Sequence, residues 1–152
     1  MQTRREMLST SAKVATLMAS AGLLPQVAHA EWSKDAFAAK TLADAVKGLG
    51  GGAPAQSADV TITGPDIAEN GAVVPVGVST SLPGVKRLAL MVEKNPNALA
   101  AVFDVTDAVE ANVSTRVKMG QSSNVYAVAM MADGKVLYAQ KEIKVTLGGC
   151  GG

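Results

Sequence analysis

From Asp59 to Leu147 the chain consists of short runs rich in valine, threonine and isoleucine, each cut by turn residues, with no helical period among them. Val60-Thr61-Ile62-Thr63 stops at Gly64-Pro65-Asp66; Val74, Val76 and Val78 alternate with Pro75, Gly77 and Ser79; Leu88, Leu90 and Val92 keep the same period of two. Residues 102–105 follow the turn Asn95-Pro96-Asn97. Val113, Thr115, Val117 and Met119 then face one way and Ser114, Arg116 and Lys118 the other, a strand with one wet face. Residues 125–131 are apolar at both parities, which suits a central strand, and Asp133-Gly134 supplies a hairpin turn into a last strand where Leu137, Ala139, Ile143, Val145 and Leu147 share a face. Pro75 lacks an amide donor and predicts an edge or a bulge. About seven or eight strands at intervals of roughly eight to twelve residues predict an all-β fold, an immunoglobulin-like antiparallel β-sandwich.

Ahead of the strands lies one short helical signal. Ser33 can cap it, Asp35 sits in its first turn, and Ala38, Leu42, Ala45, Val46 and Leu49 recur at helical spacing, with Gly48 ending it. Lys40, Asp44 and Lys47 fall on the opposite face, where modest ion pairing is expected. Gly50-Gly51-Gly52 and Pro54 read as a linker; no Gly-Lys-Ser/Thr follows, so the glycines do not make a phosphate loop.

The N-terminal thirty residues predict an export signal. Arg4 and Arg5 form a basic region of twin-arginine type, residues 14–24 are apolar, and Ala28-His29-Ala30 is a small-x-small cleavage site. Met7 and Ser9 replace the phenylalanine and lysine common in twin-arginine signals, so the Sec route stays open. The apolar stretch is too short and alanine-rich for a membrane span, and no cysteine adjoins the cleavage site to take a lipid. The expected organisation is residues 1–30 as cleavable signal, 31–53 as helix and linker, 54–147 as β-sandwich and 148–152 as a flexible arm, in a periplasmic protein.

Cleavage after Ala30 would remove Arg4, Arg5, Lys13 and Glu6, turning 14 basic and 13 acidic residues into 14 − 3 = 11 and 13 − 1 = 12. A nearly neutral chain with 3% aromatic residues lacks both the charge and the stacking surfaces of a nucleic-acid binder. The single histidine, His29, would leave with the signal, and with it any Cys-His pair, Ser-His-Asp triad or ordinary zinc site. No catalytic residue is assigned.

The only cysteine, Cys150, lies between two glycine pairs, Gly148-Gly149 and Gly151-Gly152, directly after the last strand. Those glycines offer nothing apolar to hold the segment on a core, so an exposed, mobile thiol is expected on an arm whose three residues from Leu147 to Cys150 reach at most about 10 Å. No base or basic side chain adjoins Cys150, so nothing in its neighbourhood of sequence favours the thiolate. Other polar or soft clusters have simpler explanations. Met91, Met119, Met130 and Met131 are core filler rather than a copper site, and Asp104, Asp107 and Glu110 form a solvated turn without the spaced ligands of a cation loop; no metal is expected. Asn112-Val113-Ser114 matches a glycosylation sequon but falls within a strand.

The terminal Gly-Gly-Cys-Gly-Gly, preceded by Ile143-Lys144-Val145-Thr146-Leu147, resembles the SoxY family, the sulfur-carrier subunits of the bacterial thiosulfate-oxidising system. Residues 67–76 (IAENGAVVPV) look like that family's central motif, and Asn95-Pro96 and Asp133-Gly134 fall in the expected order, so the resemblance spans the mature chain. It implies a carrier rather than an enzyme, with Cys150 as the covalent attachment point for thiosulfonate or sulfane sulfur and no resident cofactor. It also implies a heterodimer with SoxZ, a smaller β-sandwich subunit. Transient visits are implied to a haem-containing sulfur-transfer enzyme, a sulfate-releasing hydrolase and a sulfane dehydrogenase. A sandwich edge near the Pro75 strand is the expected seat of the second subunit.

Two other functions fit the same tail. One is a structural sandwich whose Cys150 forms an intermolecular disulfide, joining two chains. The other is a carrier that uses a terminal Gly-Gly thiocarboxylate on a ubiquitin-like fold, against which both the cysteine and the export signal argue.

Overall fold

The computed structural model describes residues 7–10, 13 and 33–147. The chain divides into two units, Met1–Trp32 and Ser33–Gly152. In the first, residues 7–10 are helical, and Arg4, Arg5, Ala28 and Ala30 of the expected export signal lie outside the described residues. Among the described residues no helix is long and apolar enough to cross a membrane.

The second unit begins with two short helices where the sequence periodicity predicts one. α1 (Lys34–Ala38) is capped by Ser33, whose Oγ accepts from the Ala36 amide at 3.3 Å, and α2 (Leu42–Gly48) by Thr41, whose Oγ1 accepts from the Asp44 amide at 3.1 Å. Thr41 is what breaks the helix: its hydroxyl captures an amide that a continuous helix would have bonded to a carbonyl four residues back. Lys40 falls in the break and donates to the Pro96 carbonyl instead of facing Asp44 across a turn. Folding α2 back on α1 brings Gly48 to Ala36, and the Ser33 hydroxyl closes the pair by donating to the Gly48 carbonyl at 2.6 Å.

That approach makes Gly48→Ala an informative substitution. Alanine in a helix normally gains about 0.5–1 kcal/mol over glycine. Here its Cβ would stand 2.7 Å from the Ala36 nitrogen, a backbone atom that cannot swing aside. The clash decides the sign, and Gly48→Ala is expected to lower stability by about 1–3 kcal/mol, read from the urea midpoint at unchanged m-value.

Among the described residues nine strands follow: β1 (Pro54–Gln56), β2 (Val60–Thr63), β3 (Ile67–Ala68), β4 (Val74–Thr80), β5 (Val85–Val92), β6 (Leu99–Asp104), β7 (Asn112–Val117), β8 (Ser123–Met131) and β9 (Val136–Val145). One sheet runs β1-β9-β8-β5-β6 with β3 also on β9, and the other runs β2-β4-β7. The long pairings are antiparallel, as the alternation predicts, and the two sheets face each other as an immunoglobulin-like sandwich. The pairings of β9 with β1 and β3 are parallel, which the sequence pattern did not disclose. At the β8–β9 hairpin Gly134 takes φ 86°, a backbone conformation open to glycine, and Asp133 accepts from the Lys135 amide at 3.0 Å.

Two cores result from the period-two alternation. Val74, Val76 and Val78 of β4 meet Leu88, Leu90 and Val92 of β5, Val125 and Ala127 of β8 and Ile143 of β9 between the sheets. The opposite parity of the larger sheet, Ala89, Met91, Val128, Met130 and Val136, is covered by Ala36, Ala45 and Val46 of the helix pair. β8 is therefore buried on both faces, as its unbroken apolar run predicts. Residues 50–52 are not slack either: Gly51 lies against Val136 and Met130 and its amide donates to the Val46 carbonyl at 2.9 Å.

Pro75 departs from expectation. β4 is the central strand of its sheet, with Pro75 opposite Arg116 of β7. Proline is tolerated there because the β2 ladder stops at Thr63 opposite Gly77, leaving no partner strand on the other side at Pro75. β4 is therefore open on one side only around Pro75; the outer strands are β1 and β6, with β3 beside β9, in the larger sheet and β2 and β7 in the other.

Candidate functional site: the root of the cysteine arm

Cys150 and the arm glycines Gly148, Gly149, Gly151 and Gly152 lie outside the described residues. What the structure places is the root from which the arm departs. β9 pairs with β8 from Val136 opposite Met130 to Ile143 opposite Ser123. Ile143 is fully buried between the sheets, so the last ladder rung is fastened to the core.

Beyond that rung the chain is held by a clasp made from residues 66–71. The Lys144 amide donates to the Asp66 carbonyl at 2.9 Å, the Thr146 amide to the Ala68 carbonyl at 3.1 Å, and the Gly71 amide to the Leu147 carbonyl at 2.8 Å. The Thr146 hydroxyl adds a bond to the Glu69 carbonyl at 3.1 Å. From the other flank the Val145 amide donates to Ser122 Oγ at 2.9 Å. The clasp is itself tied to the body: the Met119 amide donates to the Gly71 carbonyl at 2.7 Å, and Asn70 turns the chain by accepting from the Ala72 amide at 2.9 Å. Residues 67–73, singled out in the sequence only by resemblance, thus secure the base of the arm and then run into the central strand β4. β3 escapes a period-based reading because two residues are too few to show alternation; the signal available was the Asn70-Gly71 turn pair.

Leu147 corrects the expectation that the odd-numbered residues of the last strand are buried throughout. Leu137, Ala139, Ile143 and Val145 contribute to the inter-sheet core, but Leu147 is 67% exposed. β9 ends at Val145, the last of these residues to pack between the sheets, and Leu147 lies two residues beyond it.

An ion pair steadies the approach to the clasp. Lys141 Nζ lies 2.8 Å from Asp66 Oδ1 and donates to the Gly64 carbonyl at 2.7 Å. The hydrogen bond and positive charge from Lys141 hold the Asp66 carboxyl below its ordinary pKa. A carboxylate depressed in the folded state contributes stability above its unfolded pKa, and loses it as pH falls through the folded value. Faster exchange of the Lys144 and Thr146 amides is therefore expected only below the ordinary carboxylate range, and only weakly, since Asp66 is exposed and the pair is screened by salt.

The opposite end of the sandwich carries a concavity of about 810 Å³ lined by Asp59, Thr61, Ser79, Thr80, Asp107 and Glu110 among others. Asp104 stands apart from it, bonded to Arg87 at 2.8 Å. Among the described residues no group of three or more His, Cys, Asp or Glu is placed to hold a metal ion. The methionines Met91, Met119 and Met130 are buried in the two cores.

Residues 46–150 match the family described as "Sulfur oxidation protein SoxY". Among solved structures, the sulfur carrier protein SoxY from Chlorobium limicola f thiosulfatophilum is 35% identical, with a TM-score of 0.60 over 67% of this chain and 92% of that one. Superoxide reductase (neelaredoxin) from Ignicoccus hospitalis is 22% identical, with a TM-score of 0.51 over 57% of this chain and 79% of that one, a likeness of fold alone. No curated protein sequence matches the chain.

Proposed function

The chain belongs to the SoxY family of sulfur oxidation proteins, and we propose that it carries sulfur covalently on Cys150 during oxidation of thiosulfate in the periplasm. The observation that carries this is the position of the thiol. It follows by three residues Leu147, the last residue of a chain end held by the clasp on one side and by Ser122 on the other, and its sequence neighbours are all glycine. A rigid root and a bare tether deliver one sulfur atom to several clefts without moving the body.

The chemistry runs in two balanced steps. Coupling joins the sulfane sulfur of thiosulfate to the Cys150 sulfur, releases the thiol proton and passes two electrons to a haem-containing sulfur-transfer enzyme, leaving a cysteine S-thiosulfonate. Hydrolysis then adds the oxygen of water to the terminal sulfonate sulfur, breaks its bond to the sulfane sulfur, and releases sulfate and two protons, leaving a persulfide anion on Cys150. A sulfane dehydrogenase oxidises what remains. The carrier supplies neither base nor metal. Its thiol has an ordinary environment in sequence, so activation falls to each receiving enzyme. SoxZ is the proposed stable partner, and the twin-arginine signal with Arg4, Arg5, Ala28 and Ala30 the proposed route of export.

Intact-mass measurement of protein from cells growing on thiosulfate, before and after reductant, tests this. Adducts of thiosulfonate or sulfane mass on Cys150 that reductant removes are expected. A mass showing only a disulfide between two chains would instead support the structural sandwich.

A further inference from the structure

Within residues 33–147 four large apolar side chains are exposed: Ile67 (57%), Val73 (53%), Val109 (57%) and Leu147 (67%). Single exposed apolar residues are ordinary on protein surfaces, but clustering is not. Val109 lines the concavity at the far end, whereas the backbones of the other three lie beside the arm root, Ile67 on the face of β9 opposite the one that Ala68 and Val145 turn to the core. Ile67 pairs with Lys144, three residues before Leu147; the Leu147 carbonyl is bonded to the Gly71 amide, and Val73 lies two residues further along. At a strand rise of about 3.3 Å per residue and a strand spacing of about 4.8 Å, the backbone of Ile67 falls roughly 11 Å from Leu147, the residue from which the tether departs, and Gly71 lies directly against it.

We propose that Ile67, Val73 and Leu147 form an apolar collar that seats against the rim of the catalytic cleft receiving Cys150, so that the partner enzymes share an apolar rim of matching size. This rests on the carrier function proposed above and deepens it. The tether makes the contact unavoidable: three residues from Leu147 to Cys150 span at most about 10 Å, so an enzyme whose reacting atoms meet the Cys150 sulfur inside a cleft must bring its rim against whatever surrounds Leu147. The clasp is why the collar stays exposed. Backbone bonds from residues 66–71 hold the main chain there, while Leu147 lies two residues past the end of β9, beyond the facing sheets that bury Ile143 and Val145.

The test uses the full heterodimer, thiosulfate and the cognate loading enzyme, with loading of Cys150 followed by intact mass. The triple variant Ile67→Ser, Val73→Ser, Leu147→Ser is expected to raise KM for the carrier about tenfold with kcat changed less than about twofold. Val109→Ser is expected to change neither. Inserting Gly-Ser-Gly-Ser between Leu147 and Gly148 lets the thiol enter without the collar touching the rim, so the KM penalty of the triple variant is expected to shrink in that background, which a merely structural role would not produce. Equal rates of Cys150 alkylation by iodoacetamide confirm an intact arm; should the triple variant unfold, Leu147→Ser alone carries the same comparison. An unchanged KM overturns the collar, as does an effect seen only on pairing with SoxZ or only on self-association. If wild-type Cys150 takes no sulfur at all, the carrier function fails instead, so the two failures are distinguishable.

Discussion

Replacing Cys150 by serine is expected to reduce sulfur loading and thiosulfate-dependent sulfate release to background, a loss of at least about a thousandfold, while leaving the folded body unchanged. The physical ground is covalent. The proposed intermediates are sulfur–sulfur compounds, and a hydroxyl of nearly the same size has neither the thiolate nucleophilicity nor the capacity to hold a persulfide. No general base in the chain is removed at the same time, so the loss cannot be assigned to impaired proton transfer. Thermal or urea midpoints should match wild type, because Cys150 lies three residues beyond the clasp and seven beyond the last β8 rung at Ile143. Mass spectra of Cys150→Ser protein from thiosulfate-grown cells provide the check. Sulfur retained on that variant would move the attachment to the terminal carboxyl group and support a thiocarboxylate carrier.

Ile143→Ala is expected to give the largest stability loss of any single substitution discussed for this chain, about 2–5 kcal/mol, since a fully buried side chain is removed between the sheets and the surroundings refill the space only in part. It is also the last residue of β9 paired with β8. Opening there releases the arm root before the remainder unfolds, so hydrogen exchange at the Lys144, Thr146 and Gly71 amides should accelerate more than exchange in β5. Leu147→Ala, four residues on but exposed, should cost within about 0.5 kcal/mol. Equal losses at the two positions would mean that Leu147 is covered in solution and that the arm leaves the core elsewhere.

The strand pattern was readable because alternation repeats over enough residues to register. β4, β5 and β7 lie where period-two runs predict them, and β8, read from a run apolar at both parities, is buried on both faces as that sequence requires. Ser33 was visible as a cap, but the second cap at Thr41 was hidden inside an apolar periodicity that continues through it. Whether a threonine mid-pattern breaks a helix depends on what gains from the break, and here the gain is the contact between Gly48 and Ala36. Pro75 misled for a related reason. Proline excludes a strand partner at one position only, and β2 is short enough to stop before reaching it.

The arm shows the same division at the level of function. A cysteine set among four glycines, in a chain whose single histidine falls at position 29 within the expected export signal, led from residue chemistry alone to the expectation that reaction at this thiol needs outside help. Side-chain chemistry and chain reach are local properties, and local properties can be read one residue at a time. What holds the arm was decided only by tertiary structure: the hydrogen bonds between residues 66–71 and 144–147 join segments more than seventy residues apart, and backbone amides and carbonyls leave no mark on residue type. The exposure of Ile67, Val73 and Leu147 belongs with them, because burial is a property of what packs over a side chain, and at the root of the arm the covering strand has ended.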